Sequence, residues 1–295
     1  MLSILIPIYN RDCTKLVTDL HKEGEAAAFE FELICLDDCS SDEFQLVNRQ
    51  LKTLPNVIYT ELEENTGRSR IRNKLAEKAK YDTLLFIDCD MAVSSGQFLQ
   101  KYIAAVDGPG AIVGGLAYDP VVPDNFEHRL RWTYGHERES ISVKQRQKHP
   151  YASFMTGTFA IDKESFNSIK FDESIQRYGH EDTLFGKELF SRGIKVIHID
   201  NPLLHRGLEP KADFIAKTEQ AVETLAELVK AGKLKDEVKL YRVYQLLKRF
   251  YLHNLIAIRF RKRKDAWLGN LHSTKPDLKY FDMYRLGYLC TLMQK

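Results

Sequence analysis

The first part of the chain alternates between short apolar runs and longer stretches of mixed polarity. "LSILIPIYN" reads as a buried strand ending near Tyr9, and a helical stretch follows over 14–28. "FELICLDD" reads as a second buried strand that ends in Asp37 and Asp38. In "SSDEFQLVNRQLKTL", Ser41 is placed to cap a helix whose first turn carries Asp42 and Glu43. "NVIYTEL" is a third strand, "GRSRIRNKLAEKAK" a helix opened by Gly67, and "DTLLFIDCD" a fourth strand. This alternation predicts an α/β fold. Its central sheet is mostly parallel, the crossovers are right-handed, and helices cover both faces.

Beyond residue 90 the pattern is less regular. "GAIVGGLAYD" reads as a strand, and the polar, aromatic and basic segment 125–150 as a helix and loop over the site. "FMTGTFAIDKESF" reads as a strand with a capped turn. "YGHEDTLFGKELFSRG" reads as a helix from near Glu181 that ends at Gly193, and "IKVIHIDNPLLH" as a last strand with an exit loop. From about residue 213 the pattern is helical. The chain therefore divides into an α/β domain over 1–212 and a helical region over 213–295.

In parallel sheets of this kind, ligands bind at the carboxyl ends of the strands. Tyr9, Asp38 and Asp88 each fall at such an end. Each taken alone also fits an ordinary turn residue; three on one edge point to a site. Asp88 and Asp90 follow the apolar run "LLFI" with one residue between them. Two carboxylates at a strand end are costly unless a cation or proton neutralises them. Either they are solvated turn acids, or they serve a hard divalent ion such as Mg²⁺ or Mn²⁺ that shares oxygen ligands with phosphates. Glu181 and Asp182 at a helix start fit ordinary first-turn acids or a general base facing that ion. His205 follows the last strand and is a further candidate ligand; its competitor, His198, sits inside the strand alternation and reads as structural.

Charge and cysteine content remove several classes. A formal net charge of +2 over 295 residues does not make a bulk polyanion binder. Five cysteines without regular spacing suggest neither a disulfide framework nor a zinc site, and free thiols suit a reducing cytosol. The apolar start is too short for a signal segment, and no apolar run approaches ~20 residues. The expected location is cytoplasmic, with contact at the inner membrane face left open.

The pieces "SILIPIYN", "LDDCSSD", "NTGRSRIRN", "FIDCD", "FDES", "YGHEDTLFG" and "NPLLH", in that order, span about residues 3–205. Together they resemble family 2 glycosyltransferases of the GT-A fold, which are inverting enzymes. The resemblance implies a nucleotide-binding half over 1–90 and an acceptor and catalytic half over 91–212. It implies a nucleoside diphosphate sugar as donor, with UDP the expected carrier. Pro7 would shape the turn that lets Tyr9 pack on the base, and Asp38 would accept a hydrogen bond from it. Gly67, Arg68, Arg72 and Asn73 would lie on the diphosphate side. Asp88 would contact the ribose or the metal, Asp90 would ligate the metal, and His205 would be a further metal ligand. Asp182 would be the base, with His180 and Glu181 shaping the acceptor pocket. Trp132 would stack on a sugar, or else pack as core. Thr158 departs from the family, whose members commonly carry Asn there; this puts donor-sugar contacts in doubt.

Residues 240–264 hold eight Lys or Arg and no acid, interleaved with Leu, Tyr, Phe and Ile. This stretch predicts amphipathic helices with a basic edge, read either as a solvated face or as attachment to an anionic membrane surface, which would suit a lipid-linked glycan acceptor. No nucleic-acid module is present. Three other functions compete. A haloacid-dehalogenase-like phosphatase also has Asp-x-Asp after a buried strand, but normally after its first strand. A dinucleotide dehydrogenase would need a third glycine at a spacing that "GPGAIVGG" does not provide, inside a strand–turn–helix that is not there either. A nucleotide- or glycan-binding adaptor on the same fold would dispense with Asp88, Asp90 and Asp182, and all three are here.

Overall fold

Period-two burial on both faces shapes the sheet. Ile4, Ile6 and Ile8 of the first strand enter one apolar cluster and Leu5 enters the other. Leu33 and Cys35 alternate in the same way with Ile34 and Leu36, as do Leu85 and Ile87 with Leu84 and Phe86. A strand buried on both faces has no polar side, so its sequence is a continuous apolar run.

The computed structural model describes residues 1–27 and 29–294. Strand and helix alternate as β1 (Leu2–Ile8), α1 (Thr14–Ala26), β2 (Phe31–Asp37), α2 (Asp42–Asn48), β3 (Val57–Glu61), α3 (Arg68–Lys78) and β4 (Thr83–Ile87). The helix expected over 14–28 is thus α1; position 28 lies outside the described residues. The chain continues through β5 (Met91–Ala92), α4 (Phe98–Ala105), β6 (Ala111–Val113), β7 (Leu116–Ala117), α5 (Arg129–Tyr134) and α6 (Val143–Arg146). Then come β8 (Thr158–Asp162), α7 (Lys163–Ile169), α8 (Glu181–Ser191), β9 (Val196–His198) and β10 (Leu203–His205). Four helices close the chain: α9 (Lys211–Lys230), α10 (Lys239–Arg249), α11 (His253–Leu271) and α12 (Leu278–Leu292).

The main sheet has the order β3-β2-β1-β4-β8-β6-β9. Only β8 runs against the others. A small sheet, β5-β10-β7, pairs β10 antiparallel to β5 and parallel to β7. "IKVIHIDNPLLH", expected as one strand with an exit loop, is therefore two strands in two sheets.

The chain forms two compact units. One comprises residues 1–118, 140–176 and 185–207 and carries both sheets; the other comprises 119–139, 177–184 and 208–295 and is helical. The helical unit has its own core, including Leu130, Phe214, Phe260, Trp267, Phe281 and Tyr284. Among the described residues, no helix is long and apolar enough to cross a membrane. All five cysteines are free thiols.

Candidate active site

Parallel register brings three strand ends level. Ile8 pairs with Asp37 across β1 and β2, and Leu5 pairs with Phe86 across β1 and β4. The residues just beyond, Tyr9, Asp38 and Asp88, emerge on one edge. Tyr9 is 54% exposed, a large ring held in the open at a strand end.

Asp38 is buried and engaged. Its Oδ1 accepts from the Thr66 amide at 2.7 Å and the Thr66 hydroxyl at 2.8 Å; its Oδ2 accepts from the Gly67 amide at 2.9 Å. The carboxylate thus fixes the loop that starts α3. Gly67 has φ +81°, a conformation that side chains other than glycine rarely adopt, and it forms the N-cap of that helix.

The start of α3 presents two arginines to Asp88. Arg72, 1% exposed, donates from Nη2 to Asp88 Oδ1 at 2.6 Å and from Nη1 to the Arg68 carbonyl at 3.1 Å. Arg68 is more open, with Nη2 3.6 Å from Asp88 Oδ2. Asn73 turns elsewhere: it bonds the backbone of Phe171 in both directions and donates to Glu173. Thr158 is fully buried against the Tyr102 hydroxyl at 2.8 Å.

Asp90 reaches His205 through the small sheet. Met91 and His205 are register partners, and the Arg206 amide donates to the Asp90 carbonyl at 2.8 Å. His205 Nε2 lies 3.3 Å from Asp90 Oδ2, and the Tyr118 ring sits 5.2 Å from the imidazole. Burial pushes the Asp90 carboxyl up. The bond to His205, with the charges of His205, Arg11 and Arg68, outweighs it and holds the carboxyl well below the usual carboxylate range.

Asp90 Oδ1 and His205 Nδ1 are both buried with no hydrogen-bond partner among the described residues. A buried carboxylate oxygen without a partner is costly, and a cation would satisfy it. Among the described residues no group of three or more His, Cys, Asp or Glu could by itself hold a metal ion. Two protein ligands are not a closed cage. They do fit a hard divalent ion that completes its shell with phosphate oxygens and water.

Residues 177–184 belong to the helical unit. Gly179 (φ +103°) and His180 (φ +67°) are consecutive left-handed residues. This turn starts α8 and sets Glu181 and Asp182 in its first turn. A Cβ at position 179 would stand 2.7 Å from that of Ala221, so glycine is required there for space as well as for backbone conformation. Enclosure by protein lowers the His180 pKa to about 4, with the Arg285 charge acting in the same direction. Glu181 is buried, and Asp182 Oδ1 accepts from the Thr183 amide at 2.6 Å. In the same unit, Trp132 donates from Nε1 to the Asp119 carbonyl at 2.8 Å and packs on His136 at 4.2 Å.

Two residues at the Asp90 end escape sequence reasoning. Arg11 contributes positive charge to Asp90. It lies only two residues after Tyr9 at a strand end, which is the signal that could have found it. Gly207 packs against the carboxylate: a Cβ there would stand 2.9 Å from Asp90 Cγ and 3.0 Å from Arg11 Nη2. No pattern in the sequence marks that approach.

Residues 3–169 match the family described as glycosyl transferase family 2. The chain belongs to this family. The matched span holds Asp38, Arg72, Asp88 and Asp90; Asp182 and His205 lie beyond it. The chain is 25% identical over 263 residues to the chondroitin synthase of Escherichia coli, covering 77% of this chain and 38% of that protein. It is also 25% identical over 224 residues to the hyaluronan synthase of Pasteurella multocida, covering 65% of this chain and 23% of that protein. The family member described here thus spans well under half of these relatives. Its fold resembles the mannosyltransferase PcManGT of Pyrobaculum calidifontis, solved with GDP-Man and Mn²⁺. That match has a TM-score of 0.60 at 15% identity, over 99% of this chain and 86% of the other. Residues 1–349 of Staphylococcus aureus TarS, solved with UDP-GlcNAc, match with a TM-score of 0.52 at 18% identity, over 97% and 90%. These likenesses establish the GT-A α/β fold with its C-terminal helices.

Proposed function

We propose that the chain transfers a sugar from a UDP-sugar to a hydroxyl of a glycan or lipid-linked acceptor in surface polysaccharide synthesis. The transfer is metal-dependent and inverts the anomeric carbon. The observation that carries this reading is the buried, partnerless Asp90 Oδ1 at the carboxyl edge of the sheet, beside His205 and with Arg11 and Arg68 near. One carboxylate ready for a cation and two guanidinium groups suited to phosphate are what a metal-bound diphosphate needs. The relatives support the donor and product class: two are named chondroitin synthase and hyaluronan synthase, and TarS was solved with UDP-GlcNAc.

In this reading Tyr9 covers the base and Asp38 adds a bond from the base to those it already accepts. Engagement of Asp88 by Arg72 and Arg68 favours the ribose over the metal as its partner. Mg²⁺ or Mn²⁺ held by Asp90 and His205 would supply positive charge to the departing diphosphate. Asp182 takes the proton of the acceptor hydroxyl while that oxygen bonds to the anomeric carbon. The bond from that carbon to the phosphate oxygen breaks, and its electron pair leaves with the UDP. His180, Glu181 and Trp132 shape the acceptor side.

The test is a thermal-shift series with UDP, GDP and a panel of UDP-sugars, each with and without Mn²⁺. Stabilisation by UDP that requires the metal, together with metal-dependent hydrolysis of one UDP-sugar, is expected. Equal stabilisation with and without metal, or none by any nucleotide, overturns the reading.

A further inference from the structure

The basic stretch of the tail folds as a helical hairpin. α10 and α11 are joined by Phe250, Tyr251 and Leu252, and each helix turns one face to the interior of its unit. Tyr244 faces inward from α10, and Ala257, Phe260, Trp267 and Leu271 from α11. The opposite faces are open. Val243, Leu246 and Phe250, spaced three and four apart, form an exposed apolar stripe along α10. Leu255 and Ile258 extend the exposed apolar surface onto α11, 61% and 45% exposed.

The turn itself is informative. The Tyr251 amide donates to the Lys248 carbonyl and the Leu252 amide to the Leu247 carbonyl, so Tyr251 closes the helix in the left-handed conformation, φ +58°. That position is ordinarily glycine or asparagine. Here it holds a bulky aromatic that is 81% exposed. The ring is kept in solvent at a left-handed position, so it adds nothing to the core of its unit.

Charge selects the occupant. Arg242, Lys248, Arg249, Arg259, Lys262 and Arg263 flank this apolar surface and form no ion pair among the described residues. No acidic residue lies between 240 and 264. A protein partner of ordinary polarity needs no such one-sided charge. An interface of acyl chains under anionic headgroups asks for apolar side chains at a tip and Lys or Arg around it. We propose that the 239–271 hairpin docks the protein on an anionic lipid surface, with Phe250, Tyr251, Leu252 and Leu255 entering the headgroup layer. The inference does not rest on the proposed transferase reaction.

The full chain is tested by flotation with vesicles of phosphatidylcholine alone and of phosphatidylcholine mixed with phosphatidylglycerol. Flotation with the mixed vesicles only, weakening as salt rises, is expected. Combining Arg249→Gln, Arg259→Gln and Arg263→Gln should weaken it about a hundredfold, since each basic group near such a surface gives about 1 kcal/mol. Combining Phe250→Ser and Leu255→Ser should weaken it at least tenfold, without lowering the thermal midpoint, because both side chains are exposed. Tyr251→Gly separates folding from docking: it should hold or raise the midpoint by relieving the left-handed strain, yet weaken flotation. Three results would overturn the proposal. They are no flotation with anionic vesicles at low salt, flotation unchanged by the apolar substitutions (simple polyanion binding), and a concentration-dependent dimer that the Phe250/Leu255 pair of substitutions abolishes (a second copy as occupant).

Discussion

Arg72 Nη2 lies 2.6 Å from Asp88 Oδ1, and the same guanidinium stands 5.5 Å from the centre of the Phe171 ring. Arg72 is thereby packed as core while it holds the first acid of the Asp-x-Asp pair in place. Removing one partner of a pair this enclosed leaves the other charge without compensation. Arg72→Met should destabilise the fold by about 3–5 kcal/mol in urea unfolding. Arg72→Lys should recover only part of that loss, because an ammonium lacks the planar fork that reaches both Asp88 and the Arg68 carbonyl. Equal stability of Arg72→Met and the parent chain would show that the pair contributes nothing.

Gly207 predicts a loss of ligand response without a loss of fold. A methyl group at this position overlaps Asp90 Oδ2 and stands 2.9 Å from Asp90 Cγ and 3.0 Å from Arg11 Nη2. Those groups are at the candidate ion site, not in an apolar cluster. Gly207→Ala should keep the apo unfolding free energy within about 1 kcal/mol of the parent while reducing Mn²⁺-dependent protection by UDP at least tenfold. Gly96→Ala, which has open space around the added carbon, is the control and should change neither. An undiminished UDP response in Gly207→Ala would place the ion away from Asp90.

Asp182→Asn should separate binding from chemistry. The amide keeps the size of the side chain and can still accept from the Thr183 amide, but it takes no proton at neutral pH. Metal-dependent protection by UDP should be retained. Transfer should fall by roughly 10²–10⁴-fold, the usual contribution of a general base. Full transfer by this variant would remove Asp182 from the mechanism.

How far the sequence carries depends on what each element is made of. β1, β2 and β4 are legible because they are buried on both faces, and four or five consecutive apolar residues have no other home. The strand-end acids are legible for the same reason, since polarity appears where the run stops. The small sheet is not. β5 and β7 are two residues each and β10 is three, too short for any periodicity. Yet their pairing is what brings His205 to Asp90. Asp38 shows a different limit: its position at a strand end was readable, but its bonds to Thr66 and Gly67 come from a loop that only the fold brings near. Asn73, grouped by sequence with the arginines of α3, points to Phe171 and Glu173. One helical step of about 100° suffices to separate it from Arg72.

His180 gives the protein a pH dependence whose sign can be worked out. Its ring is neutral in the folded state down to about pH 4, because enclosure and the Arg285 charge oppose protonation. In the unfolded chain an ordinary histidine takes its proton near 6.5. Between those values the unfolded state binds more protons, so stability falls as pH is lowered through that window and levels off below it. His198, whose pKa is also lowered, chiefly by burial, acts in the same direction. The slope from His180 alone is at most about 1.4 kcal/mol per pH unit. Asparagine tolerates the left-handed backbone at this position (φ +67°) and does not titrate. Urea unfolding of His180→Asn should therefore show a shallower loss of stability between pH 6.5 and 4 than the parent, with His198 supplying part of what remains. Identical slopes for the two proteins would mean that His180 gains its proton as readily folded as unfolded.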